Sequence, residues 1–162
     1  MIVVPLDKAL PDNEIESSVI RSEVEAVIFD KKYLDVFKNL QSNPDCKLKH
    51  FICMDFEEDN EEVLSLSNLI EKGKDLRDRG DKSYDEVIID NTGMTIMLFT
   101  SGTTSLAKIV MLSQHNICSN IYSTGCIAKV TSEDTFLSFL PLHHTYESTT
   151  TFLYGLYSGI TI

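Results

Sequence analysis

Apolar residues fall in short runs separated by amphipathic stretches along most of this chain, and the spacing changes from run to run. Residues 2–6 form a first apolar run that predicts a strand. Residues 11–25 then carry Ile15, Val19 and, less neatly, Ser22 at helical spacing, and Ala26–Phe29 follows as a short buried strand. Residues 33–40 repeat the helical spacing through Leu34, Phe37 and Leu40 until Asn43-Pro44 breaks it. Residues 49–54 make a third strand, and the acidic run at 55–62 reads as a solvated surface loop, because like charges repel. Ser67 is placed to cap a helix bearing Leu69, Ile70, Gly73, Leu76 and Arg77. The stretch 78–91 is the most charged and least patterned, which makes it the best internal linker.

Beyond that linker the pattern grows more apolar. Residues 94–99 read as a strand, and 109–112 as a second apolar run after a loop of small polar residues. Ser113 is a suitable N-cap for a helix whose apolar stripe is Ile117, Cys118, Ile121 and Tyr122, a stripe expected to pack into a core. Residues 135–140 predict another strand, stopped by Pro141. Ser148 to Thr151, followed by Phe152, Leu153, Leu156 and Tyr157, predicts a capped helix. Strands alternating with helices argue for an α/β fold with a mostly parallel sheet and helices on its faces.

Composition narrows the function classes. The net charge of −11 over 162 residues argues against nucleic acid, whose phosphates would be repelled, and lends no support to binding an anionic membrane surface. The charge is uneven: residues 1–90 carry 22 acidic against 12 basic side chains, net −10, while residues 91–162 carry 3 against 2, net −1. We therefore expect an acidic α/β portion at 1–90 and a nearly uncharged, chemistry-bearing portion at 91–162. Cys46, Cys53, Cys118 and Cys126 have no paired spacing and sit in or beside apolar patterns, so they read as reduced core thiols in a cytoplasmic protein. No apolar run approaches the length of a membrane span.

Two stretches carry candidate chemistry. The first is Thr100, Ser101, Gly102, Thr103 and Thr104 between the two apolar runs, with Lys108 at its far end. Small hydroxyls, exposed backbone N–H groups and a cation are what polyphosphate oxygens require as donors and as compensating charge. The spacing is not that of a Walker loop. The second is His143, His144, Tyr146 and Glu147, just past a predicted strand end, where open α/β sheets place ligand sites. Adjacent histidines on one turn point apart, so the pattern is not a zinc site; metal ligands stay unassigned. No residue reads as a general base or nucleophile, since Cys118 and Cys126 lack an activating partner.

The stretch TSGTTSLAK closely resembles the phosphate-loop signature of the adenylate-forming, AMP-binding superfamily, which includes acyl-CoA synthetases. Ser105, Ala107 and Ile109 stand where that signature has glycine, proline and glycine. About 45 residues on, LPLHHTYE resembles the family's next motif, in a form most like synthetases of long fatty acids. The resemblance implies that Thr100 to Thr104 and Lys108 hold the phosphates of ATP, with Mg²⁺ offsetting charge. It also implies that His144 approaches the adenylate and the acyl carboxylate, with Tyr146 and Glu147 shaping the pocket. By the same resemblance the chain is part of a large N-terminal domain, lacks the small C-terminal domain with its adenylating lysine, and is inactive alone. Its partners would be ATP, a carboxylic acid, coenzyme A and the rest of a longer chain, with peripheral membrane contact left open. An adenylating domain for amino or aryl acids, and a free-standing nucleotide-binding or interaction module, are the alternatives.

Overall fold

The computed structural model describes residues 1–100 and 107–162. The chain divides into two compact units, Pro11–Ile89 and a second made of Met1–Leu10 with Asp90–Ile162.

In the first unit, α1 (Asp12–Ser22) buries Ile15, Ser18, Val19 and Ser22, a single face at helical spacing. The weak member of that stripe, Ser22, is tolerated because its hydroxyl donates to the Ser18 carbonyl at 2.6 Å. Three strands follow: β1 (Ala26–Phe29), β2 (His50–Cys53) and β3 (Val63–Ser65), in the order β1-β2-β3 and all parallel. Between β1 and β2 lies α2 (Leu34–Gln41), whose Phe37 meets Phe29 at a ring separation of 5.1 Å. The core comprises these residues with Leu40, Leu48, Phe51, Cys53 and Val63.

β2 and β3 are joined without a helix, through the acidic loop, which is more ordered than a solvated run implies. Asp59 accepts from the Ser65 N–H at 2.8 Å and from Lys72 Nζ at 2.8 Å, and Asn60 Oδ1 accepts from the N–H groups of Glu62 and Val63. The next helix, α3 (Leu66–Asp78), is capped by Ser65 and not by the expected Ser67, because the strand runs directly into the helix. Ser67 instead places its hydroxyl 2.7 Å from that of Ser65.

In the second unit, β4 (Met94–Thr100) and β5 (Lys108–Ser113) form an antiparallel pair. Of the strand expected at 2–6, only Val3 is paired, bridging to Ile96 through hydrogen bonds of 2.9 Å. The turn into β4 is built by Asp90, which accepts from the Thr92 hydroxyl at 2.7 Å and its N–H at 2.9 Å; these bonds hold the Asp90 carboxyl below its ordinary pKa. α4 (Gln114–Ile127) follows at once, with Ser113 as N-cap in a reciprocal box with Asn116.

The expected core stripe of α4 is corrected here. None of its residues is buried, and Tyr122 is 69% exposed. Cys118 and Cys126 are likewise exposed, so of the four free thiols only Cys53 is a core residue. Helical spacing identifies an apolar face, and this one is covered only in part: Ile117 and Ile121 are half-buried, Cys118 and Tyr122 exposed.

The strand expected at 135–140 is also absent. Thr135 bridges to Thr161 alone, and Leu137 and Phe139 project into solvent. The closing helix begins as a π-helical segment, Glu147–Leu153, and continues as α5 (Tyr154–Ser158). Tyr154 is buried, donates its hydroxyl to the Ala128 carbonyl, and packs against Gly125 of α4, where an added Cβ would lie 3.3 Å from the tyrosine ring.

Candidate functional site

The β4–β5 register sets the root of the expected phosphate loop. Thr100 and Lys108 are direct cross-strand partners, so their side chains project on one face of the hairpin. Strand alternation puts Leu98, Val110 and Leu112 on that face too. Ser101, Gly102, Thr103 and Thr104, the remainder of the expected loop, lie outside the described residues. Lys108 is exposed.

That face of the hairpin forms the floor of a cleft of about 290 Å³, with Leu98, Thr100, Val110 and Leu112 in its lining. One wall is α4, which contributes Asn116, Ile117 and Asn120. Thr145 and Thr149 complete the lining, the first of them adjacent to His144. Thr100, which opens the expected phosphate loop, and Thr145, the residue after His144, share this cleft, whereas His143, His144, Tyr146 and Glu147 do not line it. The lining is uncharged, an apolar floor with five hydroxyl and amide side chains. Such groups can hydrogen-bond a polar ligand while Lys108, one step further along the strand, supplies charge.

The histidine stretch is a loop held by short local contacts. The His144 N–H donates to the Pro141 carbonyl at 2.9 Å, and the Ser148 N–H donates to the His144 carbonyl at 3.1 Å. The Tyr146 N–H donates to His144 Nδ1 at 3.3 Å, which leaves the proton of the neutral ring on Nε2. His143 Nε2 lies 3.6 Å from Asp7 Oδ2. Both His144 and Tyr146 are exposed, whereas Glu147 is 1% exposed. Tyr146 contributes to a second groove of about 490 Å³, shared with Phe136, Thr150 and Tyr154.

Asn116, Asn120, Thr145 and Thr149 were not singled out by the sequence pattern. Each pair has i, i+4 spacing, which places both members on one helical face. A polar pair bordering an apolar stripe was the available signal. Among the described residues no group of three His, Cys, Asp or Glu converges as a metal site. No described helix is long and apolar enough to cross a membrane.

A family model described as "AMP-binding enzyme" matches residues 1–162. Among curated proteins, long-chain-fatty-acid–CoA ligase 5 of Rattus norvegicus is 30% identical over 163 residues, covering 91% of this chain and 23% of that protein. The 4-coumarate–CoA ligase 1 of Petroselinum crispum is 25% identical over 153 residues, covering 92% of this chain and 26% of that one. The chain thus spans about a quarter of the length of these relatives. Among solved structures, the anthranilate CoA ligase AuaEII in complex with anthranoyl-AMP superposes with a TM-score of 0.82 at 16% identity, over 99% of this chain and 29% of that one. ATP-bound MatB from Rhodopseudomonas palustris does so with a TM-score of 0.72 at 19% identity, over the same shares. These likenesses bear out the expected α/β fold.

Proposed function

We propose, from the premise that the chain belongs to the AMP-binding enzyme family, that it supplies the ATP-phosphate site and part of the adenylate pocket of an acid–thiol ligase. The observation that carries this reading is that Thr100 and Thr145 line one cleft, with Lys108 the cross-strand partner of Thr100.

A carboxylate is a poor acyl donor because its negative charge deters nucleophiles. Attack of its oxygen on the α-phosphate of ATP expels pyrophosphate and leaves an acyl-adenylate, a mixed anhydride whose acyl group no longer carries the carboxylate charge; the thiol of coenzyme A then attacks the acyl carbon and expels AMP. In this scheme Lys108, Thr100, Ser101, Gly102, Thr103 and Thr104 hold the β- and γ-phosphates and the leaving pyrophosphate. Their contribution is positioning and compensation of charge. The donor set fits: a cation beside hydroxyls suits phosphate oxygens. Mg²⁺ would offset charge on the phosphates. His144 approaches the adenylate, and Tyr146 and Glu147 shape its surroundings.

The acid we favour is a long-chain fatty acid, supported by the LPLHHTYE stretch and the rat relative. An aryl acid is the second reading, favoured by the 4-coumarate relative. Free thiols suit a reducing, cytoplasmic setting, with peripheral membrane contact compatible with an apolar substrate. Catalysis requires further chain, since this one spans about a quarter of its relatives.

The test is binding of MgATP to the 162-residue chain by calorimetry, with carboxylate-dependent ATP–pyrophosphate exchange beside it. We expect binding that depends on Lys108 and no exchange. Exchange by the purified chain would refute the incomplete site, and absence of any ATP binding would refute the phosphate loop.

A further inference from the structure

Glu147 is among the largest fully buried side chains described, at 1% exposure, and both of its oxygens are engaged. Oε1 accepts from the Ser138 hydroxyl at 2.6 Å, and Oε2 accepts from the Thr151 hydroxyl at 3.1 Å. Ser138 lies before the histidine loop and Thr151 after it, on the π-helical segment. We propose that Glu147 is a positioning residue: its carboxylate latches the two ends of the 139–146 loop together and thereby sets where His144 and Tyr146 stand. The inference deepens the ligase reading and rests on it only for the use made of those two residues.

The loop has little else to hold it. Phe139 is 75% exposed, Leu142 52% and Tyr146 60%, so apolar burial does not fix its path. Among the described residues its remaining ties are local bonds within 141–150 and the His143–Asp7 contact at the surface. A carboxylate only accepts, and two hydroxyls that donate to it match that requirement without any cation. Burying it so is costly unless both oxygens are satisfied, which makes the pair of bonds all-or-none for local order. The consequence reaches both grooves, because Thr145 lines one and Tyr146 the other, on either side of the same peptide unit.

The experiment is solution NMR of the 162-residue chain without nucleotide, comparing Ser138→Ala, Thr151→Val and Glu147→Gln. The readouts are the ring nitrogen shifts of His144 and the amide exchange of His144, Tyr146 and Ser148. With Ser138→Ala we expect exchange at those amides to rise at least about tenfold and the His144 Nδ1 shift to move. Phe51 and Cys53 amides, and the ring of His115, should stay as they are. Glu147→Gln retains an accepting oxygen and gains an N–H from which a rotated hydroxyl can accept, so it should fall between wild type and Ser138→Ala. Unchanged His144 signals in all three variants would overturn the latch, as would a uniform loss of protection, which marks a merely structural carboxylate. If the latch behaves as expected and the chain binds no ATP, the ligase reading fails and the latch stands.

Discussion

Replacing Lys108 with Ala separates a phosphate-binding lysine from a structural one. The side chain is exposed at the end of β5, opposite Thr100, and makes no side-chain hydrogen bond or ion pair with another described residue. Removing it should alter stability by no more than about 0.5 kcal/mol, as for other surface substitutions. At about 2–4 °C per kcal/mol for a chain of this size, the melting temperature should move by less than about 2 °C. The loss in binding is larger. A hydrogen bond to a charged group contributes about 1.5–3 kcal/mol, and solvent exposure at the strand end puts Lys108 near the lower figure. That corresponds to a rise in Kd for MgATP of roughly tenfold, since about 1.4 kcal/mol is one decade. Lys108→Met keeps the aliphatic stem and should weaken binding equally, while Lys108→Arg should retain most of it. Raising ionic strength should weaken wild-type binding more than binding by either neutral variant. Calorimetric titration with thermal melts tests all of this. A fall of several degrees with unchanged Kd would refute the argument and make Lys108 a structural residue.

Three further outcomes follow from the geometry. Ser113→Ala removes one half of the capping box on α4 and should cost about 1 kcal/mol, seen as a lower urea midpoint and faster exchange at Asn116. Phe51→Ala opens a cavity in the parallel sheet where Phe51 is 5% exposed; the expected cost is about 3–5 kcal/mol by urea unfolding, and a cost below 1 would mean the first unit is not packed as described. Acid should loosen the start of α3: the Lys72 ammonium, then the Ser65 N–H, holds the Asp59 carboxyl below its ordinary pKa, so its contribution is present above about pH 3.9 and lost as pH falls through the lowered value. Lys72→Met should move that loss of Ser65 and Asn68 amide protection to higher pH, and an unchanged midpoint would refute the ion pair's part in it.

Much of the first unit was legible because its signals are local. The stripe of Ile15 and Val19 and the short run at Ala26–Phe29 are decided by spacing within a few residues, and the structure places helix and strand there. β3 was missed because three residues, Val63–Ser65, are too few for a period, and because the acidic run before them hid the bonds that Asp59 and Asn60 make to its backbone. The cap of α3 shifted from Ser67 to Ser65 for the same reason: without the strand, the helix start could not be located.

The second unit was harder to read, since its apolar residues do not all report burial. The run at 135–140 has the composition of a strand, yet only Thr135 finds a partner. The face of α4 has the spacing of a packed helix, yet Tyr122 stands in solvent. A hydrophobic period states which residues prefer cover and says nothing of which segment supplies it. Polar residues bordering such a face carry the complementary information. Asn116 and Asn120 stand one turn apart beside Ile117, and Thr145 and Thr149 stand four residues apart where the histidine loop enters the closing helix; all five meet Thr100 in one cleft. The expected phosphate loop was proposed from its own hydroxyls and lysine together with the flanking apolar runs, and only its two ends, Thr100 and Lys108, lie among the described residues. The cleft behind it was not legible, because its lining comes from three segments whose only common feature is that the hairpin register, the Ser113 cap and the closing helix bring them to one place.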